Sequence, residues 1–348
     1  MKIEIITSIN PTLKETGFGS LLACNDVLAA VQALGHTVQV SECSSMNDLS
    51  DVVKRSPDLV ILAAKYMPLV GEKDVWFSDY FAKNHIVFSG SSRETLKYDS
   101  DKVLAKIHLA SLGIKTAKYF TTTPGEHKSE NALPFSFPLF IKPTDAANGN
   151  GIDDQSFVEN FQDFETKVAA LHGIYHQPVL VEEYLGGREF TVAIIKSDDG
   201  NMSISAIELV PPVSSGTLRI LGAAVKAHDT ETLKAITITD INAVKDIAAL
   251  SFNGLGARGF ARIDIKMDSD GTCYFMEVNL IPGMNRSSSY FPRACNIANE
   301  IPYNNVIQLM LNESLGRAQP DLKLAPRIKK NTATTTLRRA TITLSDLQ

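Results

Sequence analysis

The chain has 348 residues, 44% of them hydrophobic, and a formal net charge of -5. That is enough to bury a large core in two or three domains, and the negative balance argues against a nucleic-acid partner. Met1-Lys2-Ile3-Glu4-Ile5-Ile6 is a short strand pattern with an acid inside it, no window approaches 18 apolar residues, and Cys24, Cys43, Cys273 and Cys295 lack framework or metal spacing; the expectation is a cytoplasmic protein with free thiols, no secretion leader and no membrane partner.

In chain order, residues 1–98 alternate short strands with helical patterns. Ile3–Thr7 reads as a strand, Ser20–Leu34 as a helix closed by Gly35, and Thr37–Val40, Leu59–Ala63 and Ile86–Ser89 as further strands. This is βαβ punctuation and predicts a helix-covered parallel sheet. Asp99 or Ser100 can cap a helix running to Leu112, which Gly113 ends. Lys102 then stands in its first turn, where the macrodipole disfavours a cation unless an anion is near. Phe137-Pro138-Leu139-Phe140-Ile141-Lys142-Pro143 is a buried strand ending in a lysine, followed by a loop holding Gly149 and Gly151. Pro178–Val181 is a second apolar strand, leading into Glu182-Glu183-Tyr184-Leu185 and Glu189. The expected units are an N-terminal α/β domain (1–98), a central α+β lobe (99–183), a larger C-terminal lobe (184–318) and a basic tail (319–348) that reads as a poorly ordered or edge-pairing terminus.

The densest chemistry lies between Gly259 and Gly283. Phe260–Met267 alternates, with Arg262, Asp264 and Lys266 on one side, and Asp270-Gly271 is a two-residue hairpin turn signal. With Ser269 paired to Thr272, Asp264 falls opposite Glu277 and Arg262 opposite Asn279, all on one face. Two carboxylates about 5 Å apart at an effective dielectric of 20 repel by about 3 kcal/mol, which calls for a cation between them. An oxygen-only donor set suits magnesium that also binds substrate phosphates. A solvated hairpin face is the competing reading. Lys142 at the end of a hydrophobic strand needs a negative partner, and the glycine loop after it can present backbone N–H groups to phosphate. No histidine pairs with a plausible nucleophile.

The series Lys102, Ile141-Lys142-Pro143, a glycine loop, Glu182-Glu183-Tyr184-Leu185 with Glu189, Gly259-x-x-Arg262-x-Asp264 and Glu277-x-Asn279-x-x-Pro282-Gly283 resembles the ATP-grasp ligases, closest to the D-alanine–D-alanine ligase group. The resemblance spans roughly residues 1–315. It implies an α/β and α+β chain, an ATP-grasp fold behind an N-terminal parallel-sheet (pre-ATP-grasp) domain. It further implies two magnesium ions, or manganese, held by Asp264, Glu277 and Asn279 against ATP. Lys102, Lys142 and Lys226 would neutralise phosphate; Gly149 and Gly151 would shape the phosphate loop. Glu182, Glu183, Tyr184 and Leu185 would meet adenine, Glu189 the ribose, and Met276 and Ile141 would form apolar walls. Arg262 would stabilise the oxyanion of the tetrahedral intermediate. Glu15, Gly283, Met284, Arg286 and Ser288 would lie toward the substrates. The implied reaction joins one small amino-acid-like carboxylate to the amine of another through an acylphosphate, and a homodimer is compatible with it.

At the first-substrate end the chain departs from that group. Ala64-Lys65-Tyr66-Met67 stands where a His-Gly motif is expected, and Ala224-Val225-Lys226-Ala227 keeps the lysine of a Glu-Ala-Lys-Tyr segment but not its tyrosine. Asp145-Ala146-Ala147-Asn148 replaces loop serines, and Arg286 is an added cation. D-alanine is therefore not the expected first substrate. A ligase acting on a peptide or protein, and a catalytically silent nucleotide-binding regulator, are the competing readings.

Overall fold

The structure, a computed structural model, describes residues 1–8, 18, 20–69, 71–146, 149–215 and 218–318. The first unit contains β1 (Lys2–Thr7), α1 (Leu21–Ala33), β2 (Thr37–Glu42), α2 (Met46–Arg55), β3 (Leu59–Leu62), the short pair β4 (Tyr66–Met67) and β5 (Val75–Trp76), then α3 (Phe77–Lys83), α4 (Arg93–Ser100) and α5 (Lys102–Ser111). Its sheet is parallel, in the order β2-β1-β3, as the βαβ pattern predicts. The run Ile86–Ser89 does not become a full strand. It contributes a single parallel bridge, Val60 to Phe88, because only Val60 exchanges backbone hydrogen bonds with Val87 and Ser89.

The cap of α5 is Asp101, whose side chain accepts from the Leu104 amide, rather than Asp99 or Ser100. Those two residues end α4, a helix that the sequence reading did not anticipate and that runs across the expected boundary at residue 98. Lys102 is thus the first residue of α5.

The central unit holds β6 (Tyr119–Thr122), β7 (Leu139–Pro143), β8 (Phe157–Val158), α6 (Phe161–Tyr175) and β9 (Val179–Glu183). Its antiparallel sheet runs β6-β9-β7-β8. Leu139, Ile141, Val179 and Val181 bury one sheet face against Phe164, Val168 and Leu171 of α6. Alternation leaves Lys142 on the other face.

The third unit comprises β10 (Glu189–Lys196), β11 (Met202–Val210), β12 (Val213–Ser215), β13 (Leu218–Arg219), α7 (Ala223–His228), β14 (Thr232–Ala235), α8 (Ile238–Gly254), β15 (Phe260–Met267), β16 (Cys273–Asn279), α9 (Tyr290–Asn299) and α10 (Tyr303–Ala318). Its five-stranded antiparallel sheet has the order β14-β11-β10-β15-β16. Phe252, Ile263, Ile265, Phe275 and Phe291 belong to a core continuous with that of the first unit.

The β15–β16 hairpin keeps the expected pairing by a different route. The turn is longer than two residues: Asp268 pairs with Thr272 through backbone N–H to carbonyl at 3.0 Å, and Gly271 lies at φ +81°. The Asp268 side chain accepts from the amides of Asp270 and Thr272. That turn alone would set Asp264 opposite Met276. A bulge between Asp264 and Ile265 restores the count, so Arg262 faces Asn279 and Asp264 faces Glu277.

Candidate active site

Between the two antiparallel sheets and α7 lies a narrow cleft of about 80 Å³ lined by, among others, Lys142, Glu182, Tyr184, Leu185, Glu189, Lys226, Asp264, Met276 and Glu277. Residues from five strands of these sheets, β7, β9, β10, β15 and β16, converge here because each strand ends or alternates toward the same gap. A larger open hollow beside Tyr184, lined by Asp154, Glu159, Asp163 and Lys167, lacks the lysines of this cleft.

At one end the charges cluster. Lys102 donates to the Ala146 carbonyl at 2.9 Å and stands 3.5 Å from Glu277, the anion that a lysine at a helix start requires. Burial pushes the Glu277 carboxyl up, but Lys102, Lys226, Lys142 and Arg262 together hold it well below the ordinary carboxylate range. Arg262 grips Asp264 through two hydrogen bonds of 3.1 and 2.9 Å, and Thr191 donates to the same carboxylate at 2.6 Å. The Arg262 guanidinium also lies 5.6 Å over the Tyr290 ring. Asn279, buried, lines a small recess with Asp99, Lys102, Asp145 and Glu277.

Lys142 and Lys106 flank Glu182. The two ammonium groups sit 2.8 and 2.7 Å from its two oxygens, and all three side chains are buried. Burial raises the Glu182 carboxyl and the two lysines overcome it, holding it at about 2. The Glu182 carboxylate is therefore committed to two lysines and is not free to meet a base. Glu183 also lines the cleft, its carboxylate accepting from the Lys118 amide at 2.8 Å. Glu189 pairs with Lys266 across the sheet at 3.0 Å.

Ile141 does not line the cleft. It is fully buried in the central core, since it cannot share a face with its neighbour Lys142; Phe140, two positions before the lysine, lines the cleft instead, with Ile152, Ile220 and Leu221. Gly149 and Gly151 adopt φ of +74° and +78°. A side chain at Gly149 would press on Gly222 and Ala223, and one at Gly151 on Pro143. Gly149 is thus demanded by the packing of the loop against the start of α7, which carries Lys226, and Gly151 by its packing against β7 and Leu171 of α6.

Toward the substrate end, Gly283 packs against Ser289, and the buried Met284 receives the Tyr303 hydroxyl on its carbonyl at 2.7 Å. Ser288 bonds to Asn285. Arg286 is exposed, lies 4.4 Å over the Tyr303 ring and bonds Asn304, so its charge is spent on α10. Glu15, the loop residues Ala147 and Asn148, and the tail 319–348 lie outside the described residues. The sequence assigned no site role to Lys106, Phe140 or Lys266, although spacing marks them: four residues after Lys102 on a helix, two before Lys142 and two after Asp264 on strands.

A family model described as "D-ala D-ala ligase C-terminus" matches residues 108–312. The chain belongs to that family. Within the D-ala D-ala ligase family, it is 28% identical over 228 residues to a D-alanine--D-alanine ligase of Geobacillus thermodenitrificans, covering 63% of this chain and 60% of that relative's length. A D-alanine--D-alanine ligase of Ectopseudomonas mendocina is 25% identical over 306 residues, covering 85% and 90%. The crystal structure of a D-alanine--D-alanine ligase from Bacillus anthracis complexed with ATP superposes with a TM-score of 0.69 over 92% of this chain and 99% of that one, at 20% identity. That likeness shows the fold. Among the described residues no helix is long and apolar enough to cross a membrane.

Proposed function

We propose that this protein is an ATP-dependent carboxylate–amine ligase that joins two small amino-acid-like substrates through an acylphosphate. One observation carries the reading: four cations, Lys102, Lys142, Lys226 and Arg262, converge on Glu277 beside an apolar-walled cleft. Asp264 and Glu182 offset Arg262 and Lys142, and the positive charge left on Lys102 and Lys226 beside Glu277 suits a phosphate-bearing ligand, while the apolar wall of Phe140, Leu185 and Met276 suits a purine.

Magnesium fits the donor set. Asp264 and Glu277 stand directly opposite one another, Asn279 adds a carboxamide oxygen, and among the described residues no group of three His, Cys, Asp or Glu forms a closed metal cage. A hard ion completing its shell with water and phosphate oxygens matches that open set, and when bound it would withdraw charge from the transferring phosphoryl group. Asp264, Glu277 and Asn279 would hold it.

In this mechanism Lys102, Lys142 and Lys226 position the triphosphate. The carboxylate of the first substrate attacks the γ-phosphorus, ADP leaves, and an acylphosphate forms. The amine of the second substrate then adds to the acyl carbon, and Arg262 donates to the oxyanion so produced. Phosphate departs as the C–N bond is completed. Fixed cations offset charge that builds on oxygens without reorganising. Keeping Arg262 beside a full metal set argues against a silent regulator. The changed first-substrate end, with Lys65 buried against Asp99 at 2.8 Å, points to a first substrate other than D-alanine.

The test is phosphate release from ATP and magnesium with pairs of free amino acids. Pair-dependent release of phosphate with an amide product is expected. Silence with every amino-acid pair but turnover on a peptide would overturn the small-substrate reading.

A further inference from the structure

Lys106 has no part in the mechanism above, yet it is fully buried directly behind the cleft residues Lys142 and Glu182. It leaves α5 one turn after Lys102 and reaches Glu182 at 2.7 Å, while Lys142 reaches the other oxygen of the same carboxylate at 2.8 Å. Lys142 and Glu182 lie on neighbouring antiparallel strands, Glu182 opposite Phe140, so both project from the cleft face. The groups facing this trio are the Tyr119 ring on β6, 5.9 Å from the Lys106 ammonium, and Glu277 on β16 and Glu189 on β10.

A single lysine would have balanced Glu182. A second buried ammonium adds desolvation cost and repels the first, so a scaffold serving only the fold gains nothing from it. Its electrostatic effect is specific. With one oxygen of Glu182 held by Lys106, the carboxylate is shared, and its pull on Lys142 is weaker than in an exclusive pair. Glu182 is thus divided between two lysines, and Lys142, which lines the cleft, also feels the carboxylates of Glu277 and Glu189.

We propose that Lys106 is a positioning residue that holds Glu182 away from exclusive pairing with Lys142, leaving the Lys142 ammonium available to the polyphosphate of a nucleotide in the cleft. The inference rests on the cleft being the ATP site proposed above, and it names a residue that acts on the nucleotide only through two others.

Calorimetric binding of Mg-ATP and of adenosine to the full-length wild type, Lys106→Met and Lys106→Met/Glu182→Gln separates this role from a structural one. Lys106→Met is expected to lose about tenfold in ATP affinity while adenosine binding stays within about twofold, because Glu182 then neutralises Lys142 fully. The double variant is expected to regain most of the ATP affinity, since nothing then competes for Lys142. A folded Lys106→Met that binds ATP like the wild type would overturn the inference, and so would a double variant weaker than the single one. Should Lys106→Met not fold, Lys106→Gln, which keeps a donor to Glu182 but no charge, carries the same expectation and the same contrary result. Wild-type protein that binds no ATP would overturn the reading of the cleft itself; ATP binding indifferent to Lys106 overturns this inference alone.

Discussion

Arg262 shows how one side chain can serve two ends. It is held by Asp264 in a two-point hydrogen-bonded pair and rests over Tyr290, so its fork is fixed before any substrate arrives. A lysine there would keep the charge and lose the fork. Arg262→Lys is expected to lower turnover by about 10²- to 10³-fold with ATP affinity within about threefold, read from steady-state kinetics and calorimetry. Equal losses in both would mean the arginine serves binding alone. Glu182 makes a pH prediction with a definite sign. Its folded pKa of about 2 lies below the ordinary 4.5, so the stability it contributes is complete above about pH 4.5 and is lost as pH falls toward 2. The stability gap between wild type and Glu182→Gln, measured by urea unfolding, is therefore expected to shrink from pH 6 to pH 3. A constant gap would contradict the buried pairing. At this scale the ligand types were legible in the sequence, because a charged residue inside an apolar strand has few reasons to be there. Partner choice was not: Glu182 carries no local sign that Lys106, 76 positions earlier in the chain, would take one of its oxygens.

Among the elements, β7 and the β15–β16 hairpin bear on the site most. Strand alternation alone separates the roles of Phe140 and Ile141, and reading Ile141 as a cleft wall ignored it. Ile141→Ala is expected to cost about 2–5 kcal/mol of stability with little change in the KM for ATP, because it opens a cavity between sheet and α6. Phe140→Ala is expected to do the reverse, raising that KM by about five- to tenfold through lost apolar contact. Thermal melts beside ATP kinetics decide, and an Ile141→Ala effect on KM alone would contradict the assignment. The hairpin gives a different lesson. Asp270-Gly271 marked the turn, but Asp268, by accepting two amides of the loop, lengthened it by one residue, and the bulge before Ile265 compensated. The facing of Asp264 and Glu277 was readable from spacing because the extra residues cancelled. The route to it was not, since nothing in the sequence marks Asp268 as the acceptor of two loop amides or Asp264–Ile265 as the place of a bulge.

For the whole molecule, the parallel sheet of the first unit follows the strand and glycine punctuation of residues 1–98, whereas β11 to β14, α7 and α8 carried no such marks and α4 was not anticipated. That helix is short and polar in sequence, and its buried face, Thr95 and Leu96, becomes meaningful only against the rest of the fold. The arrangement matters because the cleft exists only between sheets: no single unit supplies both the lysines of α5, β7 and α7 and the carboxylates of β15 and β16. Calorimetric titration of ATP with and without magnesium, on wild type and on Glu277→Gln, tests this most directly. The wild type is expected to bind ATP with a strong dependence on magnesium, and Glu277→Gln, folded by its thermal melt, to lose most of that dependence. ATP binding of equal strength and equal magnesium dependence in both proteins would contradict the account.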